Sequence, residues 1–185
     1  GTAAAPVVFT AVTPASGWNG LIFQGSPSDT SYLTNARIEY RNSNPAIAGG
    51  SYRYAAVVTV DQHRVALDST VIRQSGAALD LSATGWRVSR SRVDTTTNAS
   101  YAAVYLNATG KWEANRVRGS ASYPLQAGSV QYLTGLAVAD QDSLLGNARD
   151  TLAVSGGTLK PGQVTVGAGV PWRVDGSMYV DSASV

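Results

Sequence analysis

The sequence predicts an all-β fold, an antiparallel jelly-roll β-sandwich with at most one or two short helical turns, and three observations point there. The chain of 185 residues carries 19 Gly and 7 Pro. It is rich in Ser, Thr, Ala and Val and sparing of Leu, Lys and Glu, the composition of short strands and turns rather than helices. Apolar stretches recur with turn-forming clusters between them at intervals of about 8–12 residues, the grammar of a sandwich or a barrel. Finally, residues 49–60, 84–89 and 99–106 form an organising set of strands. In the first of these, alternation places Tyr52, Tyr54, Ala56, Val58 and Val60 on one face, the expected core, and Ser51, Arg53, Ala55, Val57 and Thr59 on the other.

The elements follow in order. Residues 7–12 read as an opening strand, stopped by Pro14 and by the turn formers around Gly17 and Gly20. Leu21-Ile22-Phe23 is a short apolar strand, and Gly25, Pro27 and Asp29 are turn residues. Residues 36–41 alternate cleanly, with Ile38 and Tyr40 facing in. Asn42-Ser43-Asn44-Pro45 is a loop, and Asp61-Gln62-His63 a turn into residues 64–67. Residues 71–81 are broken by Gly76, strands begin at Trp86 and Trp172, and residues 130–138 read as a long strand. Residues 140–150 are the one helical turn expected, and residues 151–154 a strand. Lys160-Pro161-Gly162-Gln163 fits a type II turn with Gly at the positive-φ position. Residues 164–166 and 177–181 are the closing strands.

Length and continuity predict a single domain over residues 1–185, with an N-terminal arm of about 15 residues. The formal net charge is only +2, from 14 Lys and Arg against 12 Asp and Glu, too small an excess for a nucleic-acid binder. With no Cys, disulfides, thiolate metal sites and a Cys nucleophile are excluded together. No apolar run reaches the length of about 18 residues that a membrane span requires. The first residues lack the basic start and apolar centre of a signal peptide, and the chain opens on Gly1 rather than Met, as a processed form or an excised domain would.

Within this pattern, Gly-Gly-Ser-Tyr-Arg-Tyr-Ala-Ala (49–56), Thr-Gly-Trp-Arg-Val-Ser (84–89), Ala-Ser-Tyr-Ala-Ala-Val-Tyr-Leu (99–106) and Met-Tyr-Val-Asp-Ser-Ala-Ser-Val (178–185) stand in a familiar order. A Gly-x-x-Tyr strand, a Gly-Trp strand and a closing Tyr-x-Asp strand recur in this order in carbohydrate-binding jelly rolls of the family four and nine type, which this chain resembles. The resemblance covers residues 45–106 and 172–185, and the longer interval at 107–171 reads as holding an insertion. It implies a glycan-binding module of the sort found in secreted glycosidases and in phage tail or fibre proteins. It also places Asp181 where that family can hold a structural calcium, although the family's acidic opening motif is absent here.

Sugar rings stack their C–H faces on Trp and Tyr while polar neighbours take the hydroxyls, so the aromatics carry the binding candidates. Trp18 and Trp112 lie in turn-like segments beside Gly, Asn or Lys and are expected to be exposed. Tyr101 and Tyr105 share a strand face and form a second platform, with Arg90 and Arg92 as polar neighbours. Asp140, Asp142 and Asp150 lack the closing Glu of a calcium loop. His63 follows Asp61, yet no Gly-framed Ser accompanies the pair, so no catalytic residue is assigned.

The expectation is therefore a non-catalytic carbohydrate- or receptor-binding module, extracellular or on a virion surface, in a phage tail or fibre or a secreted surface protein. Its partners would be a glycan or cell-surface polysaccharide and further copies of itself, as a trimer or a virion lattice. No nucleic acid, no membrane span and no cofactor beyond that structural calcium are expected. The alternatives are a virion structural subunit, in the capsid, decoration or tail, and then a glycoside hydrolase or lyase.

Overall fold

Among the described residues of the computed structural model every strand pairing is parallel, and nearly all of them join strands one coil apart rather than strands that are neighbours in sequence. The structure describes residues 1–15, 17–41, 55–136, 144–160 and 170–181. The first coil is β1 (Val7–Phe9), β2 (Leu21–Gln24) and β3 (Thr30–Thr34), and the second is β4 (Ala36–Glu39), β5 (Ala55–Val60) and β6 (Arg64–Asp68). The third is β7 (Val71–Ser75), β8 (Ala77–Leu81) and β9 (Trp86–Ser89), and the fourth β10 (Arg92–Thr96), β11 (Val104–Leu106) and β12 (Gly110–Glu113). The fifth has β13 (Arg116–Ser120), β14 (Leu125–Ala127) and a 3-10 turn, Val130–Gly135. The chain closes with β15 (Leu152–Val154), β16 (Gly157–Leu159), β17 (Trp172–Val174) and β18 (Met178–Val180).

Stacking the coils builds a three-walled parallel β-helix. Sheet A has five strands in the order β1-β4-β7-β10-β13, sheet B seven in the order β17-β15-β14-β11-β8-β5-β2, and sheet C four in the order β12-β9-β6-β3. β16 and β18 pair separately. In the fifth coil the 3-10 turn takes the place of a sheet C strand, and its following residue Leu136 bridges to Trp112.

The corners are made by residues in the left-handed region. Between sheets C and A stand Asn35 (φ 49°), Ser69 (51°), Arg90 (49°) and Ala114 (53°); between A and B stand Tyr40 (58°), Gln74 (52°), Thr95 (63°) and Gly119 (65°). Such conformations cost a non-glycine residue about 1–2 kcal/mol each. The next coil offsets that cost: the N–H groups of Asn35, Ser69 and Arg90 donate to the carbonyls of Asp68, Ser89 and Glu113 at 3.0–3.1 Å.

Side chains of the same kind stack inside the coil. Ile38, Ile72, Val93 and Val117 form one buried column on sheet A. Leu67, Val88 and Trp112 form another on sheet C, with Leu33 above them, and Val57, Leu79, Val104, Leu125 and Leu152 a third on sheet B. Each step of a column buries one more aliphatic or aromatic group against its neighbours, so the core is continuous along the axis.

The parallel arrangement corrects the antiparallel jelly roll expected from the sequence; the all-β character stands. Short strands separated by turns are common to both architectures, and what differs is the pairing partner. The face assignment of residues 55–60 is also corrected. Val57 joins the coil interior beside Ala56, whereas Val58, though buried, belongs to a separate cluster with Ala55 and Ala77 on the outer side of sheet B. Tyr52 and Tyr54 lie outside the described residues. Ile38 faces in as expected, but Tyr40 is a corner residue and half-buried. The strand expected at residues 130–138 begins instead as the 3-10 turn. Residues 145–150 carry no helix; their backbone continues the sheet A wall, with Gly119 N–H donating to Gly146 O at 2.8 Å and Ala148 N–H to Ser120 O at 2.8 Å.

Candidate functional site

Sheet C presents two outward rows to solvent. Tyr32, Ala66, Arg87 and Lys111 follow one another in register, and beside them run Thr34, Asp68, Ser89 and Glu113. Because Ala66 is short, the first row has a gap between Tyr32 and Arg87. The gap is a recess of about 240 Å³, lined by both flanking side chains and by Thr34, Asp68, Ser89 and Arg90. Tyr32 is 78% exposed, the most exposed aromatic among the described residues.

The charges in the recess are ordered. Asp68 accepts from Arg90 Nε at 3.0 Å and Nη2 at 2.5 Å, and from Ser89 Oγ at 2.9 Å. The Arg90 hydrogen bonds, against a smaller opposing effect of burial, hold the Asp68 carboxyl below its ordinary value, and the same contact raises Arg90. Arg87 donates to Glu113 at 2.9 Å across one coil. On its other side Arg87 borders a second recess of about 440 Å³, formed with Thr84, Gly85, Thr109, Gly110 and Lys111. The two hollows thus share Arg87 and together follow the helix axis. The second is built by a short repeat, Leu81-Ser82-Ala83-Thr84-Gly85 and Leu106-Asn107-Ala108-Thr109-Gly110.

The residues expected to bind ligand are scattered. Trp112 is 1% exposed and stands in the interior column, so it offers no platform; the stack of apolar side chains above it draws it inside. Trp18 is half-buried against the core, with its Nε1 donating to the carbonyl of Glu39 at 2.6 Å. Tyr105 is 5% exposed and packs with Ala102, Tyr123 and Ala153, with Tyr101 edge-on at 6.5 Å, so the pair is no exposed ladder. Arg90 belongs to the sheet C recess, whereas Arg92 lies on sheet A, bound to Asp94. Asp181 is half-buried, and its N–H donates to Leu159 O at 2.9 Å. Among the described residues no group of three His, Cys, Asp or Glu side chains could hold a metal ion; Asp140 and Asp142 lie outside them. His63 is buried at a corner, stacked on Phe23 and within 2.9 Å of Ser31 Oγ.

Sequence reasoning missed Tyr32. The signal was the Thr-Ser-Tyr-Leu-Thr alternation of residues 30–34, which marks a strand with Tyr32 opposite Leu33. No protein-family model, no curated protein and no solved structure matches this chain.

Proposed function

We propose that the chain is a non-catalytic binding module whose sheet C recess holds carbohydrate. The observation that carries this reading is the exposed Tyr32 ring standing beside a gap floored by Ala66 and rimmed by Asp68, Ser89, Arg87 and Arg90. A sugar ring stacks its apolar face on such an aromatic while its hydroxyls meet charged and hydroxyl groups. The second hollow beyond Arg87 extends the surface for a longer glycan.

The recess favours binding over hydrolysis. A glycosidase uses two carboxyl groups on opposite sides of the scissile bond. The recess is lined by one, Asp68, which is committed to Arg90. Single-site affinity on so shallow a surface is weak, and the setting that suits it is a secreted surface protein or a phage tail fibre, where several copies provide avidity.

Calorimetry against a panel of bacterial and plant polysaccharides tests this reading. Binding weakened about tenfold by Tyr32→Ala, with an unchanged melting temperature, is the expected result. Turnover of a glycan, or equal binding by wild type, Tyr32→Ala and Arg87→Ala, overturns it.

A further inference from the structure

The outer face of sheet A is organised differently from the recess. Its two outward rows are Arg37, Val71, Arg92, Arg116 and, beside them, Glu39, Arg73, Asp94, Arg118. The second row alternates in sign, and each carboxylate is held between two guanidinium groups. Glu39 meets Arg37 at 2.7 Å and Arg73 at 2.6 Å; Asp94 meets Arg92 at 2.6 Å and Arg118 at 2.9 Å. Arg116 has no ion pair among the described residues. Five arginines against two carboxylates leave this one wall with three positive charges in excess, more than the +2 of the whole chain.

We infer that this wall is a second binding surface, for a linear acidic polysaccharide, carboxylated or sulfated, laid across the coils. Coils two to five each place at least one guanidinium on it: Arg37, Arg73, Arg92, and Arg116 with Arg118. Neighbouring coils are spaced by the inter-strand distance of about 4.8 Å, so a chain running along the axis meets a cation at every step. The acids orient the forks without exhausting them. A guanidinium has five N–H donors; Asp94 takes Nε and Nη2 of Arg92 and Nε of Arg118, and the others stay open to carboxylate or sulfate. A groove of about 560 Å³ runs beside them, with Gln74 and Thr95 for hydroxyls and with Gly119 and Gly146 keeping its floor low.

The same face is unsuited to nucleic acid. Single strands bind by stacking bases on aromatic side chains, and the two rows contain none. Glu39 and Asp94, set within the row, repel a dense line of phosphates, and Asp94, the less buried of the two, can also accept a hydrogen bond from a sugar hydroxyl. The inference stands independently of the sheet C recess, because the two surfaces are on separate walls and share no residue.

The test uses the full chain with four probes at low salt: heparin as the sulfated arm, polygalacturonate as the carboxylated arm, dextran as a neutral control and oligothymidylate. Binding to heparin or polygalacturonate that falls with added salt is expected, weakened about fivefold by Arg116→Gln and further by Arg92→Gln with Arg118→Gln. Arg116 has no ion-pair partner to lose, so its variant keeps the wild-type melting temperature, and Tyr32→Ala leaves this binding unchanged. No binding to either acidic polysaccharide, equal binding by the arginine variants, or binding of oligothymidylate as tight as that of the polysaccharides overturns the inference.

Discussion

Gly110 lies directly against Trp86 of the preceding coil, so close that a Cβ on Gly110 would stand only 2.1 Å from the indole Cδ2. The indole is fully buried, and its Nε1 donates to the carbonyl of Ala108 at 3.0 Å. The absence of a side chain at Gly110 is therefore what lets Trp86 fill the corner between sheets B and C. Gly110→Ala is expected to cost about 1–3 kcal/mol by overpacking, read as a melting temperature lowered by about 2–4 °C for each kcal/mol. An unchanged melt places the indole elsewhere.

Asn115 clamps two coils. Its Oδ1 accepts from Ser91 N–H at 2.8 Å and its Nδ2 donates to Val88 O at 2.8 Å, with the residue 3% exposed. Asn147 repeats the arrangement one coil later on Ser120 N–H and Val117 O, in a half-buried position. Removing a buried partner costs about 1–3 kcal/mol for each group left unpaired. Urea denaturation should therefore show Asn115→Ala less stable than wild type by about 2–4 kcal/mol, and Asn147→Ala by less, because Asn147 is only half-buried and water can take the place of its amide.

Two aromatic truncations separate core from surface. Trp112→Ala empties a site in the interior column and is expected to destabilise the protein by about 3–5 kcal/mol. Tyr32→Ala removes an exposed ring and should leave the melting curve within about 0.5 kcal/mol of wild type. Equal losses in the two variants would show that Tyr32 is covered.

Asp94 gives the sheet A wall an acid dependence. Burial alone would raise its carboxyl, but hydrogen bonds from Arg118 and Arg92 outweigh this and hold it below the ordinary value of 3.8. A carboxyl whose folded value is depressed adds stability that is fully present above its unfolded value and is lost as pH falls through the folded one. The stability difference between wild type and Asp94→Asn is thus expected to be constant from neutral pH down to about 5 and to shrink below about 4. Melting curves across that range check it, and a gap that widens in acid has the wrong sign.

Part of the repeat was present in the sequence. Arg-Val occurs at 64–65, 87–88, 92–93 and 116–117 with Arg exposed and Val buried, and once more at 173–174, where Val174 is exposed. Leu-x-Ala-Thr-Gly occurs at 81–85 and 106–110. Hydrogen-bonded residues in successive coils stand 21 and 24 residues apart, as Asp68 with Ser89 and Ser91 with Asn115 do, a spacing that marks a solenoid. The second coil obscures it, for Glu39 and Arg73 are 34 residues apart. Of the candidate site, Arg90 was legible as an exposed cation. Tyr32 was not singled out, because its five-residue strand follows a run of turn formers.

The sequence by itself determined that the chain is all-β and made of short strands separated by turn residues, with Ile38 facing in. Only the tertiary structure decided that the strands pair in parallel and which aromatics meet solvent. Alternation within a strand is the same for either pairing direction, so the partner is set by the coil and not by the strand. Exposure cannot be carried across a corner either, because each left-handed residue resets the alternation. After Tyr40, for example, Arg41 is buried on the chain that leaves sheet A. The same geometry turns Trp112 into the core and leaves Tyr32, three strands of sheet C away, facing water.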